Sequence, residues 1–165
     1  VAAAAQSMRS DPQTARLGMQ TAYQSFPFRP KLVAMIRLYL ETLANGEGPS
    51  LINCMAGKDR TGVAVAVMHL AAGIHPDDAI ADYVLTNTAG NLEARIAAGA
   101  RSIAAVSGGM DEDVLRVVMS VAPEYLEAAF AGMRERNGSI EGYLRDVTGV
   151  DDALRGRLRE HLVEV

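Results

Sequence analysis

Apolar residues recur at helical spacing along most of this chain, and the pattern predicts a largely helical fold. In residues 31–44 the apolar side chains fall on one stripe, which is typical of an amphipathic helix. That stripe consists of Leu32, Met35, Ile36, Tyr39 and Leu43. The glycines and the proline of residues 45–49 then end the helix.

Residues 63–70 are apolar on every side, so we expect a helix that is buried in the core. Their alternation of Val and Ala also fits a strand, but the loop before them favours the helix. The short apolar run at residues 50–54 is the one convincing strand. A single buried strand leaves backbone groups unpaired, so we expect partner strands from residues missing at the start of the sequence or from another segment. Residues 1–5 look like a chain cut mid-sequence.

Start and stop signals indicate further helices. Pro76 and the two carboxylates after it predict the first turn of a short helix. Pro123 predicts the start of another helix that ends near Gly138, and Asp151 is the expected N-cap of the last helix.

Residues 87–121 predict two helices, an alanine-rich one and a second that begins near Asp111, separated by two glycines at positions 108–109. Two interpretations stay open. The helices either pack as ordinary parts of the core, or they form a mobile lid, for which weak anchoring through alanine and a glycine hinge are suitable. Arg95 and Arg101 on this segment face either an anionic substrate or the solvent.

Composition limits the classes of function. A chain of 165 residues is expected to form one domain, here residues 1–165, and 49% hydrophobic residues suffice for a core. A net charge of −4 argues against nucleic acid as a partner, because phosphate backbones require a basic face. The single cysteine excludes an internal disulfide. No apolar run is long enough to span a membrane, and no signal peptide is visible, although residues outside the sequence would hide one.

One stretch carries the chemistry. From the last residue of the run at 50–54, the chain reads Cys54-Met55-Ala56-Gly57-Lys58-Asp59-Arg60-Thr61. It combines a thiol, a glycine-bearing loop, two cations and the start of a helix, which is what phosphate-ester chemistry through a cysteine requires.

Each residue type has a physical reason to be there. Cations and a helix N-terminus stabilise a thiolate, which is the nucleophilic form of Cys54. The loop amides, including those of residues 55–57, point at a bound anion, and Gly57 permits the positive φ of a tight loop. Arg60 can bind two phosphate oxygens with its planar fork, whereas Lys58 acts as a point charge. Thr61 would place a hydroxyl near the sulfur. The alternative for Cys54 is a buried structural cysteine, which the adjacent charges disfavour.

This string resembles the phosphate-binding loop of the protein tyrosine phosphatase superfamily. Its Gly-Lys-Asp-Arg-Thr version is similar to that of the bacterial and fungal tyrosine/serine phosphatases that also act on phosphoinositides. Similarity extends to residues 23–27, 81–87, 123–126 and 138–146. It implies an α/β, phosphotyrosine phosphatase-like fold with a central sheet flanked by helices, of which this chain holds mainly the helical part.

The resemblance also implies roles. Cys54 would be the nucleophile, Arg60 the phosphate clamp and Lys58 a cation for acidic or lipid substrates. Asp59 either donates a proton as general acid or pairs with Arg60 or Lys58 and orders the loop. The chain departs from the family at Asn53, where a histidine is usual, and this predicts a less depressed thiol pKa and slower turnover.

The same stretch departs from the loops of two other classes of protein. A nucleotide-binding P-loop needs a glycine where Ile52 stands and a Ser or Thr where Asp59 stands. Arsenate reductases that use a similar loop need further cysteines, which the sequence lacks. A phosphate-binding module without catalysis stays an alternative, and so does a phosphoinositide phosphatase.

The sequence therefore predicts a metal-independent phosphomonoesterase that forms a cysteinyl-phosphate intermediate and needs no cofactor. Its expected partner is a phosphorylated protein or a phosphoinositide. We expect a cytoplasmic location, with secretion through a signal outside the sequence as the alternative.

Overall fold

The computed structural model describes residues 11–107 and 110–163, and it leaves the side chains of residues 102–107 undescribed. Within those ranges the chain is helical. In order, the helices are α1 (Pro12–Ser25), α2 (Pro30–Ala44), α3 (Asp59–Ala71), α4 (Pro76–Val84), α5 (Thr86–Ala89), α6 (Leu92–Ser107), α7 (Glu112–Met119), α8 (Pro123–Asn137), α9 (Ile140–Tyr143) and α10 (Asp152–Leu162). A 3-10 turn, Phe26–Phe28, joins α1 to α2, and a π-helical segment, Leu144–Thr148, follows α9.

The helices that periodicity and capping signals predict are confirmed. Helix α2 covers the predicted amphipathic segment, and α3 contains the predicted buried helix at residues 63–70. Pro76 and Pro123 each open a helix. Gly138 ends α8 in the left-handed conformation, and Asp151 caps α10 by accepting a hydrogen bond from Leu154 N at 2.7 Å.

The strand predicted at residues 50–54 is wrong for this structure. The described residues contain no strand, and residues 50–54 have no regular secondary structure. A strand is stable only when a neighbour pairs with its backbone, and no described segment lies alongside this one as a strand. Leu51 is 94% exposed as a result. The expected central sheet is therefore not formed by the described residues.

Helix α1 was not predicted, although the sequence carries its start signal. Asp11 is the N-cap, and its carboxylate accepts hydrogen bonds from Gln13 N at 3.2 Å and Thr14 N at 2.9 Å. Pro12 occupies the first helical position. The expectation of a chain cut at residues 1–5 falls outside the described residues.

The core lies between α1, α2, α3 and α8. Helix α1 packs along α8, α10 packs on α2, and α4 packs on both α3 and α8. The largest fully buried side chains form the centre of this core: Tyr23, Ile36, Leu40, Val63, Val67, Tyr125, Leu126, Phe130, Met133, Tyr143, Leu144 and Leu158. Helix α3 is thus held from several sides, which fixes the loop at its N-terminus.

The segment at 87–121 contains the two predicted helices, α6 and α7, with Asp111 as the N-cap of the second. Helix α7 packs on α1 and on α6. The glycines predicted as a hinge at positions 108–109 lie outside the described residues. Among the helices that are described, none combines the length and the apolar character needed to cross a membrane.

Candidate active site

The loop from Cys54 to Lys58 leads directly into α3, so its backbone meets a helix N-terminus. Gly57 has φ +67°, in the left-handed region that the sequence predicted for it, and a Cβ there would touch nothing within 4 Å. Conformation, and not crowding, is therefore the reason for a glycine at this position. Met55 projects outward and is 93% exposed, so this residue contributes backbone and not side chain to the loop.

The Cys54 sulfur lies in the centre of this loop. Burial alone raises the pKa of the thiol, but the Thr61 hydroxyl and the amides of Thr61, Gly57 and Ala56 donate to the sulfur and lower it to about 7. The lowered pKa favours the thiolate, which is the nucleophilic form of a cysteine. The pKa of the Cys54 thiol is lowered although Asn53 stands where a histidine is usual.

The Thr61 hydroxyl is placed for this interaction. Its oxygen is buried and has no hydrogen-bond partner within ordinary geometric limits among the described residues, so no other group competes for the hydroxyl. It lies on the first turn of α3, whose unpaired amides carry the positive end of the helix dipole. Thr61 thus brings both a hydroxyl and an amide to the sulfur.

Arg60 and Cys54 line one cavity of about 510 Å³. The guanidinium of Arg60 is exposed and forms no ion pair with any side chain in the described part of the chain. Arg29 and Lys31, at the start of α2, lie on the same cavity wall together with Asn53. The sequence analysis missed these two cations because only the fold brings them to the loop.

Lys58 and Asp59 form a buried ion pair. The Lys58 ammonium donates to Asp59 Oδ1 at 2.6 Å and to the carbonyl oxygen of Ser120 at 3.3 Å, and the residue is only 3% exposed. Burial lowers the pKa of Lys58, and the charge of Asp59 opposes that shift. Of the two parts considered for Asp59, pairing with Lys58 is present in this geometry.

Two tyrosines complete the surroundings of Asp59. Tyr23 donates from its hydroxyl to Asp59 Oδ1 at 2.7 Å, and the hydroxyls of Tyr23 and Tyr83 lie 2.6 Å apart. Burial raises the pKa of both phenols well above the ordinary value, so both keep their protons. Sequence reasoning placed both tyrosines in segments that resemble the family but gave neither a role.

Arg95 lies near this ion pair, and its positive charge contributes to the lowered pKa of Lys58. Its Nη2 donates to the carbonyl oxygen of Thr86 at 3.0 Å, while its Nε is buried without a partner among the described residues. Arg101 is exposed. Of the two arginines predicted to face either substrate or solvent, Arg95 lies close to the loop, and Arg101 is exposed to solvent.

Comparison with known proteins agrees with this geometry. A profile described as "Tyrosine phosphatase family" matches residues 1–164. The chain is 34% identical over 152 residues to the triple specificity protein phosphatase PtpB of Mycobacterium tuberculosis, covering 86% of this chain and 53% of that protein. It is 32% identical over 142 residues to a "putative tyrosine-protein phosphatase" of Cupriavidus necator, covering 84% of this chain and 48% of that protein. The chain therefore spans about half the length of these curated relatives.

Proposed function

Because the chain belongs to the tyrosine phosphatase family, we propose that it hydrolyses phosphate monoesters with Cys54 as the nucleophile. The observation that carries this proposal is the placement of Cys54 and Arg60 on one cavity, in a loop that leads into the N-terminus of α3. A thiolate in a cradle of N–H donors is suited to attack a bound phosphoryl group.

The reaction has two steps. The Cys54 sulfur attacks phosphorus, the bond from phosphorus to the ester oxygen breaks, and the leaving oxygen takes a proton. Water then attacks the cysteinyl phosphate, the S–P bond breaks, and inorganic phosphate leaves with the thiolate restored. Arg60 binds the equatorial oxygens in both steps, because its fork faces the cavity without a protein partner among the described residues.

Thr61 and Gly57 support the same chemistry. The Thr61 hydroxyl stabilises the thiolate before attack and again when the sulfur leaves phosphorus. The loop amides, including those of residues 55–57, are proposed to bind the phosphoryl oxygens as well, because the loop that Gly57 turns with its positive φ brings amides to the sulfur that would hold phosphorus.

Asp59 has two proposed parts, proton donor and loop organiser. Its Oδ1 accepts from Lys58 and from Tyr23, which suits an ionised carboxylate that orders the loop. The general-acid part stays a prediction, which the pH profile of an Asp59→Asn variant tests. If Asp59 is the acid, the alkaline limb of the profile disappears.

The substrate is proposed to be a phosphorylated protein, with phosphoinositides as the second candidate. Arg29 and Lys31 favour substrates that carry negative charge beyond the scissile phosphate, because both cations border the cavity of Cys54 and Arg60. Lys58 was predicted to meet such charge. Its ammonium is turned to Asp59 and Ser120 in this structure, so its direct contact with substrate stays a prediction.

Two further proposals concern the fold around the site. A central sheet is proposed from the match of the chain to the tyrosine phosphatase family, although the described residues contain no strand. Helices α6 and α7 are proposed as a cover over the loop, supported by the contact from Lys58 to Ser120. Packing of α7 on α1 favours the alternative of ordinary structural helices.

The mechanism is tested by denaturing the enzyme at alkaline pH during turnover of a substrate labelled with radioactive phosphate, because a cysteinyl phosphate hydrolyses readily in mild acid. The proposal expects label that stays bound to the chain after alkaline denaturation and that is absent from a Cys54→Ser variant. Binding of phosphate without any label or phosphate release would instead indicate a phosphate-binding module that has lost catalysis.

A further inference from the structure

A chain of hydrogen bonds runs from the protein core to the phosphate-binding loop and ends on Asp59. We propose that Tyr23 is a positioning residue of this loop. Its hydroxyl, supported by that of Tyr83, holds the Asp59 carboxylate on Lys58 and away from Arg60, which leaves Arg60 free for phosphate. This inference rests on the proposed function, since it assigns a task within the same site.

The donors can be assigned in only one consistent order. Asp59 Oδ1 accepts from the Tyr23 hydroxyl at 2.7 Å, so the single proton of Tyr23 is used there. The Tyr83 hydroxyl, 2.6 Å from that of Tyr23, must then donate to the Tyr23 oxygen. Lys58 Nζ donates to Asp59 Oδ1 from the other side at 2.6 Å. Asp59 is therefore fixed by one neutral and one charged donor.

The tyrosines are held by the core and not by the loop. Tyr23 is completely buried and its ring lies 5.0 Å from that of Phe26 and 5.5 Å from that of Tyr125, centroid to centroid. Tyr83 is 4% exposed. A carbon of the Tyr83 ring lies 2.6 Å from the position that a Cβ on Gly62 would occupy, so the ring packs tightly against the first turns of α3. The packing of these rings in the core therefore fixes the position of the hydroxyl group that donates to Asp59.

The consequence concerns the neighbouring arginine. Arg60 follows Asp59 directly, and a carboxylate that is free to turn would compete with phosphate for the guanidinium. Asp59 is only 22% exposed in its side chain, so an ion pair there would be shielded from solvent. Anchoring Asp59 through Tyr23 removes this competitor from the phosphate site.

The test measures phosphate binding without requiring turnover. Under the proposed function, inorganic phosphate is expected to protect Cys54 from iodoacetamide, and the concentration that halves the alkylation rate gives the apparent affinity of the full chain. Tyr23→Phe is expected to raise this concentration about tenfold, the usual effect of losing a hydrogen bond to a charged group. Tyr143→Phe is the matched control, because its equally buried hydroxyl donates to the carbonyl oxygen of Pro27 at 2.9 Å, outside the loop. It should stay within twofold of the wild type.

A double-mutant cycle separates positioning from general loosening of the fold. In an Asp59→Ala background, adding Tyr23→Phe should change phosphate protection less than twofold, because the group that Tyr23 positions is gone. If Tyr23→Phe does not fold, judged by its thermal transition, Tyr83→Phe takes its place with an expected loss of about threefold.

Full additivity in the cycle, or a Tyr23→Phe variant with wild-type protection, would overturn the inference. The proposed function fails by a different result, namely no Cys54-dependent phosphate release by the wild type. Since phosphate protection of Cys54 is measured without substrate, the two failures are distinguishable.

Discussion

Asn87 and Val121 are joined through both polar groups of the valine backbone. The Asn87 side chain donates from Nδ2 to the Val121 carbonyl oxygen at 2.8 Å and accepts at Oδ1 from the Val121 amide at 2.9 Å. One side chain thereby closes the segment that contains α6 and α7 at its base. Ser120, next to this closure, accepts the hydrogen bond from Lys58, so the base of the segment is connected to the loop from Cys54 to Lys58.

Replacing Asn87 by Ala is expected to open this base. Both backbone groups of Val121 would lose their partner, and each partly buried group left unpaired costs about 1–3 kcal/mol. Amide hydrogen exchange in α6 and α7 should accelerate about tenfold or more, with little change in α2 and α10. Thr88→Ala is the control, since its exposed hydroxyl bonds only within its own turn, to the Leu85 carbonyl oxygen. Equal exchange in both variants would show that Asn87 does not hold the segment.

The reactivity of Cys54 is expected to follow pH with a midpoint of about 7. Because the thiolate is the reactive form, alkylation by iodoacetamide and kcat/KM should both fall as pH decreases through that value. Between pH 8 and pH 6 the loss should be about tenfold. Thr61→Val removes the hydroxyl that donates to the sulfur, so its midpoint should move towards the roughly 8.5 of a free thiol.

Thr21→Val controls for the loss of a threonine hydroxyl elsewhere, because the Thr21 hydroxyl donates to the Leu17 carbonyl oxygen on the exposed face of α1. It should keep the wild-type midpoint. An alkylation midpoint of 8.5 or above in the wild type would contradict the assignment of Cys54 as an activated nucleophile.

Gly62→Ala is expected to damage the site and the fold together. Its Cβ would lie 2.6 Å and 2.7 Å from two ring carbons of Tyr83, so the buried ring has to move. Overpacking of this kind costs about 1–3 kcal/mol of unfolding free energy, and the displaced Tyr83 hydroxyl would lose its partner. Urea denaturation measures the first effect and phosphate protection of Cys54 the second.

Gly156→Ala provides the opposite result at a matched position. Gly156 is also inside a helix, α10, and a Cβ there would meet nothing within 4 Å. Helix propensity then favours alanine by about 1 kcal/mol, so unfolding free energy should rise and activity should not change. Loss of stability in Gly156→Ala, or none in Gly62→Ala, would argue against the packing described.

Arg29→Ala is expected to weaken the binding of substrates, and to do so more for substrates that carry more negative charge. Arg29 borders the Cys54 cavity and also stacks over Phe26, 4.4 Å from the ring centroid. KM should rise about tenfold for a phosphoinositide and about twofold or less for a small aryl phosphate. Arg136→Ala controls for the stacking, because Arg136 lies 4.3 Å from the centroid of Phe28 and does not line the cavity. Equal changes in KM for both substrates would show that Arg29 does not recognise the additional charge of the substrate.

The sequence predicted the helices that carry local signals. The apolar stripe of α2, the proline at the start of α8 and the cap at Asp151 are properties of a few neighbouring residues, and the structure confirms each. The strand at residues 50–54 could not be judged in this way, because strand formation depends on a partner far along the chain or outside it. Helix α1 was not predicted, although Asp11 is a typical N-cap residue and Pro12 a typical first residue of a helix.

The site divides along the same line. Cys54, Gly57 and Thr61 belong to one contiguous string, so their meeting around the sulfur follows from the loop itself. Tyr23, Tyr83 and Arg29 reach the loop only through the tertiary fold, in which α2 and α4 pack on α3 and α1 packs along α8. Nothing in the spacing of these residues indicates that Tyr23 donates to the Asp59 carboxylate and that the Tyr83 hydroxyl lies against that of Tyr23.

The central claim is tested most directly by phosphate release from a phosphotyrosine peptide in EDTA, with wild type, Cys54→Ser and Arg60→Lys compared. We predict steady turnover by the wild type, none detectable with Cys54→Ser, and a large loss with Arg60→Lys, which keeps the charge but not the fork. Turnover that survives in Cys54→Ser, or a folded wild type that binds phosphate and releases none from the peptide, would contradict the account.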